Sequence, residues 1–197
     1  MCIRDRVTVI VDPSIGPEID CVGTICEGET ITYTSSSDCN IFNWTVSPNG
    51  TVTEGGGTSD DFITIQWGDG PIGTINLAVD NCTGDFCNVP TTVQIPIISD
   101  NATIDGPTSV CNESSGTYTL PNYSGTEYIW SVSNRGTITD GQGTHEITVE
   151  WSSSIIPVTN QQVSVEYFNC YLECGGSDQL AISICLLYTS PSPRDRG

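Results

Sequence analysis

Apolar and polar residues alternate along this chain in short runs. In "ITIQW" (63–67), "YIWSVS" (128–133) and "ITVEW" (147–151) every second side chain falls on one side. A period of two sustained over four to eight residues marks a strand with one buried face. Turn signals rich in Gly, Asn, Asp and Ser recur about every ten residues, and no segment is long and periodic enough for a helix. In the second half the pattern predicts strands near 103–106, 115–120, 127–133, 136–139, 145–151, 161–168 and 178–184. Within "YIWSVS" a set led by Ile129 competes with the set Tyr128, Trp130, Val132; Trp130 and Val132 are taken as inward.

The strand pattern occurs twice. "IDCVGTICEGETITYT" (19–34) lies over "IDGPTSVCNESSGTYT" (104–119) at an offset of 85, with Cys26 on Cys111 and Tyr33 on Tyr118. Further on Trp44 falls on Trp130 at 86, and Trp67 on Trp151 at 84, so two residues are inserted within Ser59 to Phe62. Cys82 meets Cys170 and Cys87 meets Cys174 at 88 and 87. Shared landmarks in one order, with length changes at polar or Gly-rich points, indicate a repeated unit of about 85 residues. The expected fold class is all-β: two antiparallel β-sandwiches, at 13–98 and 99–184, with "VTVIV" inside 7–12 as the last strand of a preceding unit.

Charge sharpens this organisation. The five basic residues are all Arg, and Arg4, Arg6, Arg194 and Arg196 sit at the tips. Met1 to Asp5 can be written as a DNA string whose reverse complement encodes Cys185 to Thr189. Residues 1–6 and 185–197 therefore resemble a translated sequencing adapter and are set aside from fold reasoning. What remains has Arg135 against 22 acidic residues, a net charge of −21. Nucleic acid is excluded as a partner, since a phosphate backbone needs Lys and Arg to displace its counterions. No apolar run reaches the roughly 20 residues that span a membrane, so no membrane insertion is expected in this segment.

Eight cysteines lie between the tips, with a single histidine, His145, and no CxxC pair. Zinc is disfavoured, and disulfides in an oxidising, extracellular setting are expected. Cys21 and Cys39 face Gly106 and Gly125 in the second copy, which suggests that they were lost as a bridged pair. The preferred pairing is Cys21 to Cys39, Cys26 to Cys82 and Cys111 to Cys170, because tying an early strand to a late one constrains the unfolded chain most. A local Cys82 to Cys87 bridge is the competing arrangement.

"IDGPTSVC", the Trp of "YIWSVS", the turn "GTITDGQGTHEITVEW" and a late "NC" together resemble the PKD-like domain repeats of large secreted cell-surface proteins of Bacteroidota, of the gliding-motility-associated adhesin type. That resemblance implies an immunoglobulin-like sandwich, export to the cell surface, and service as a non-catalytic spacer or adhesive module whose partners are neighbouring repeats and a surface glycan or protein. "QWGDG" (66–70) echoes the signature "WDFGDG" of the wider family, but the second copy has "EWSSS" there.

Candidate chemistry is thin. Trp44 and Trp130 are expected as core aromatics; Trp67 and Trp151 end their strands and are the more exposed pair, with packing still favoured. "GGGT" (55–58) and "GQGT" (141–144) precede strands, so their glycines suit positive φ in a hairpin rather than a phosphate cradle. A Ser or Cys nucleophile would have only His145 as its base, and enzyme activity is not expected. No cofactor is expected. Calcium is a secondary idea, resting on Asp60, Asp61, Asp69, Asp80 and Asp85 near loops of the first copy, with no residue committed as a ligand. Six N-x-Ser/Thr triplets are ordinary in so Thr-rich a chain.

Overall fold

The computed structural model describes residues 17–20, 23–83, 90–152 and 158–185, with Val158 described by its backbone alone. The adapter-like segments apart from Cys185, the strand expected within 7–12, and Cys21, Asp85 and Cys87 lie outside the described residues. The chain divides into two compact units between Ile97 and Ile98. Each is a β-sandwich of a four-stranded and a three-stranded sheet.

Unit 1 comprises β1 (Ile25–Cys26), β2 (Thr30–Thr34), β3 (Cys39–Val46), β4 (Gly50–Gly55), β5 (Phe62–Trp67), β6 (Ile72–Cys82) and β7 (Thr91–Ile98), whose last residue already packs in the core of unit 2. Its sheets have the orders β1-β7-β6-β3 and β2-β5-β4. Unit 2 comprises β8 (Ser109–Cys111), β9 (Ser115–Thr119), β10 (Thr126–Val132), β11 (Gly136–Asp140), β12 (Glu146–Trp151), β13 (Val158–Asn169) and β14 (Cys174–Cys185). Here the orders are β8-β14-β13-β10 and β9-β12-β11, the same topology.

Alternation sets which side chains face inward. In β5 Ile63, Ile65 and Trp67 are buried, and in β6 Ile75, Leu77 and Val79 meet them from the opposite sheet. Unit 2 repeats this with Ile147, Val149 and Trp151 against Val163, Val165 and Tyr167. Each such side chain contributes about 1.5–3 kcal/mol when taken out of water. The competition within "YIWSVS" resolves as expected: Tyr128 and Trp130 are buried, Val132 packs against the core, and Ile129 is 61 % exposed.

The expected strand at 103–106 is replaced by something shorter. Asp105 makes one bridge to Thr119 of β9, after which the chain crosses to the other sheet and β8 pairs in parallel with β14. Pro107 at the crossing has no N–H to donate to a ladder. A side chain on Gly106 would run into the Tyr118 ring, so the crossing passes close over the core. In unit 1 Ile19 likewise bridges Ser35 before β1 joins β7.

Candidate functional site

Trp67 and Trp151, expected as the more exposed indoles, are among the most buried side chains, at 0 % and 1 %. The end of β5 is not a margin, because the chain after β1 folds across it: Gly28 N–H donates to the Trp67 carbonyl at 2.7 Å and Trp67 N–H to the Glu29 carbonyl at 2.9 Å. Trp151 N–H donates in the same manner to Ser114 at 2.9 Å. The Trp67 indole N–H donates to the Tyr33 hydroxyl at 2.9 Å, with the rings edge to face at 6.4 Å. Trp151 and Tyr118 repeat the pair at 3.2 Å, also 6.4 Å between rings. Burial raises the Tyr118 phenol above its ordinary range, partly offset by that hydrogen bond. This donor and acceptor satisfy each other in the core, which leaves neither free for a ligand.

Trp130 is buried, while Trp44 is half-buried and packed against the core of unit 1. Their indole N–H groups donate to the Thr144 and Asp60 carbonyls at 2.8 and 3.0 Å, so each indole holds the hairpin turn beside it. Gly55, Gly56, Gly141 and Gly143 of those turns all have positive φ. His145 also lies there, its carbonyl accepting from Leu120 N–H at 2.8 Å.

The cysteines depart from the expected pairing. Cys39 is bonded to Cys82, its register partner across β3 and β6, which rules out both Cys21 to Cys39 and Cys26 to Cys82, and with them the local Cys82 to Cys87 bridge. The bridge joins neighbouring strands of one sheet rather than an early strand to a late one. Cys111 stands in register with Cys185 at the end of β14, the sulfurs 3.7 Å apart, and is not bonded to Cys170. Cys170 precedes the start of β14, so the strand's length of roughly 40 Å separates it from Cys111, far beyond the ~7 Å a disulfide can span. The hydrogen bond to Cys185 is the largest cause raising the Cys111 thiol. Cys26 and Cys174 are each disulfide-bonded.

Among the described residues the acidic side chains do not converge. Asp60 accepts from Gly57 N–H at 2.8 Å within its own turn, and Asp80, near the end of β6, accepts from the adjacent Asn81 N–H at 2.7 Å. Among the described residues no three His, Cys, Asp or Glu side chains approach closely enough to hold a metal ion.

A surface that the sequence reading passed over lies on the outward face of the four-stranded sheet in unit 2. Glu127 pairs with Phe168, and Ile129 with Glu166, across β10 and β13. Phe168 is 51 % exposed. Gly175 of β14 stands opposite Phe168 in the ladder, and with no side chain there the ring borders a trough of about 560 Å³ that Glu173 and Ser177 also line. A side chain at Gly175 would run into the Tyr167 carbonyl, so the position admits only glycine. The signal was present in "YIWSVS" and "VSVEYFN": once Trp130 and Tyr167 point inward, Ile129 and Phe168 must point outward.

Residues 97–184 match the PKD-like domain family. The PKD-like match covers unit 2 from Ile98 to the penultimate residue of β14, and an immunoglobulin-like sandwich braced by disulfides is the fold observed. No curated protein matches the chain. Solved structures that resemble it include the D00-D0 domain of intimin, at 13 % identity and TM-score 0.40, over 85 % of this chain and 98 % of that one. The human desmocollin-1 ectodomain matches at 10 % and 0.40, over 92 % of this chain and 39 % of that one. The mouse nectin-like molecule 4 ectodomain matches at 11 % and 0.40, over 91 % and 67 %. The chain thus spans about two fifths of desmocollin-1. Among the described residues no helix is long and apolar enough to cross a membrane.

Proposed function

We propose that this chain is part of the stalk of a large secreted cell-surface protein, of the Bacteroidota gliding-motility-associated adhesin type, in which its units act as non-catalytic spacers. One observation carries the reading: the first and last strands of unit 2 run parallel, with Ser109, Val110 and Cys111 beside Ser183, Ile184 and Cys185. Parallel terminal strands bring the chain in at one end of a sandwich and out at the other, so every added unit lengthens a stalk by roughly the 40 Å of a 12-residue strand. Tension between the ends then loads the hydrogen bonds of that parallel pair in shear, all together. The PKD-like match of this unit supports the same reading.

Force spectroscopy on the full chain, pulled from its ends, tests it. Under reducing conditions, which open the bridges at Cys26, Cys39, Cys82 and Cys174, two separate force peaks are expected, each releasing a few hundred ångströms of chain. Without reductant the Cys39–Cys82 bridge by itself withholds a sequence separation of 43 residues, roughly 150 Å of extension. Stepless extension at low force sinks the stalk reading.

A second reading, a sandwich that binds a surface protein or glycan, draws on the exposed Ile129 and Phe168 face of unit 2.

A further inference from the structure

The outward faces of the two four-stranded sheets share a ladder and differ in chemistry. Where unit 2 has Glu127 opposite Phe168 and Ile129 opposite Glu166, unit 1 has Ile41 opposite Asp80 and Asn43 opposite Ala78. Unit 2 thus gathers two large apolar side chains, each more than half exposed, among Glu127, Glu166 and Glu173. A spacer has no need of such a face; in unit 1 the exposed Ile41 and Ile72 of the corresponding face stand at opposite ends of β6 rather than side by side. Exposed apolar area rimmed by charge marks a contact surface.

At the outer edge of β10 the Trp130 carbonyl is already occupied, accepting from Gln142 Nε2 at 3.0 Å, so that position offers no acceptor to an added strand. The exposed apolar side chains lie on the face. Charge then selects the partner. Arg135 is the single Lys or Arg among the described residues, and it follows the far end of β10 from Glu127. A second copy of this chain would set carboxylates against carboxylates, and an anionic polymer would be repelled.

We propose that this face docks a basic, extended segment of another protein, in which Lys or Arg alternates with apolar side chains. An apolar side chain of the segment enters the trough beside Phe168 and Ile129, while its flanking cations meet Glu127, Glu166 and Glu173. The inference rests on the binding reading above and names its partner class. The pulling experiment does not depend on it, so the two can fail separately.

Calorimetric titration of the full chain with a short synthetic peptide alternating Lys and Val tests the proposal. Saturable binding is expected, weakened about tenfold or more by joint Phe168→Ser and Ile129→Ser substitution, and about two- to fivefold by Glu166→Gln. Both apolar positions face solvent, so the variants should keep the wild-type tryptophan fluorescence. Glu54→Gln, which removes an equal charge from the exposed part of β4, should leave the affinity unchanged. The proposal is overturned by absence of binding, by an equal loss in Glu54→Gln, or by indifference to the Phe168 and Ile129 changes. It is also overturned if a neutral glucan oligosaccharide binds through Phe168 in place of the peptide, or if the face proves to mediate self-association in sedimentation.

Discussion

Near the end of the second-to-last strand of each unit's sequence pattern stands the same dipeptide, Asn–Cys, put to two uses. In unit 1 Cys82 is bonded across the sheet to Cys39, and Asn81 is exposed at φ 55 with its N–H on the Asp80 carboxylate. In unit 2 the place of Cys39 is taken by Gly125, one step beyond the Thr126–Asn169 pair and at φ 76, and Cys170 is exposed. Asn169 does the closing instead. Only 2 % exposed, it donates to the Ser124 carbonyl and the Thr126 hydroxyl at 3.0 and 3.1 Å and accepts from Tyr171 and Leu172 N–H, both at 3.1 Å. One corner is tied covalently and the other by a fully satisfied amide, while the cores beneath them keep the same Tyr–Trp buttress. The core is what the two units cannot vary, and the corner is where they can.

If the buttress is common to both units, Trp67→Ala and Trp151→Ala should each destabilise their own unit by about 3–5 kcal/mol, read unit by unit from amide hydrogen exchange. A marked inequality would break the likeness of the cores. The covalent corner should matter in one unit alone. Joint Cys39→Ser and Cys82→Ser substitution is expected to cost unit 1 about 4 kcal/mol by the chain-entropy estimate for this loop, with exchange in unit 2 unchanged. Asn169→Ala should cost unit 2 about 1–3 kcal/mol, since it leaves backbone groups at the corner without their partner; denaturant titration gives the value, and a change near zero would mean that the corner needs no closure.

The smallest expected contrast lies at alkaline pH. Burial raises the phenols of Tyr118, Tyr128 and Tyr167 above their ordinary value of 10.0. The unfolded chain then loses these protons first. Unit 2 should keep its full stability below about pH 10 and lose it as pH rises from there through the raised folded values. Unit 1, which contains Tyr33 as its only tyrosine, should show a shallower decline. Thermal unfolding followed between pH 9 and 11 tests the difference; parallel slopes would remove it.

Period-two alternation determined much of this molecule without a structure. In unit 2 the strands at 115–120, 127–133, 136–139 and 145–151 agree with β9 to β12 within a residue at either end, because one buried face imposes its period on the sequence. The late strands extend further than the apolar pattern, β14 beginning at Cys174 rather than 178, since the glycines there carry no polarity to read. The inward side of "YIWSVS" was legible for the same reason as its neighbours, and it carried the outward Ile129 with it.

Pairing between distant residues was decided only by the tertiary structure. Loss of Cys21 and Cys39 together looked like loss of one bridge, yet the bond joins Cys39 to Cys82, because a disulfide forms between cysteines that the strand register sets side by side. Packing of Trp67 and Trp151 was the favoured reading, but strand-end position ranked them as the more exposed pair, because their burial depends on the segments after β1 and β8 folding across them. Alternation is a property of one strand against one core and is written locally. Register across a sheet, the passage of one segment over another, and the meeting of Phe168 with three glutamates are properties of several segments at once, and no single stretch of sequence contains them.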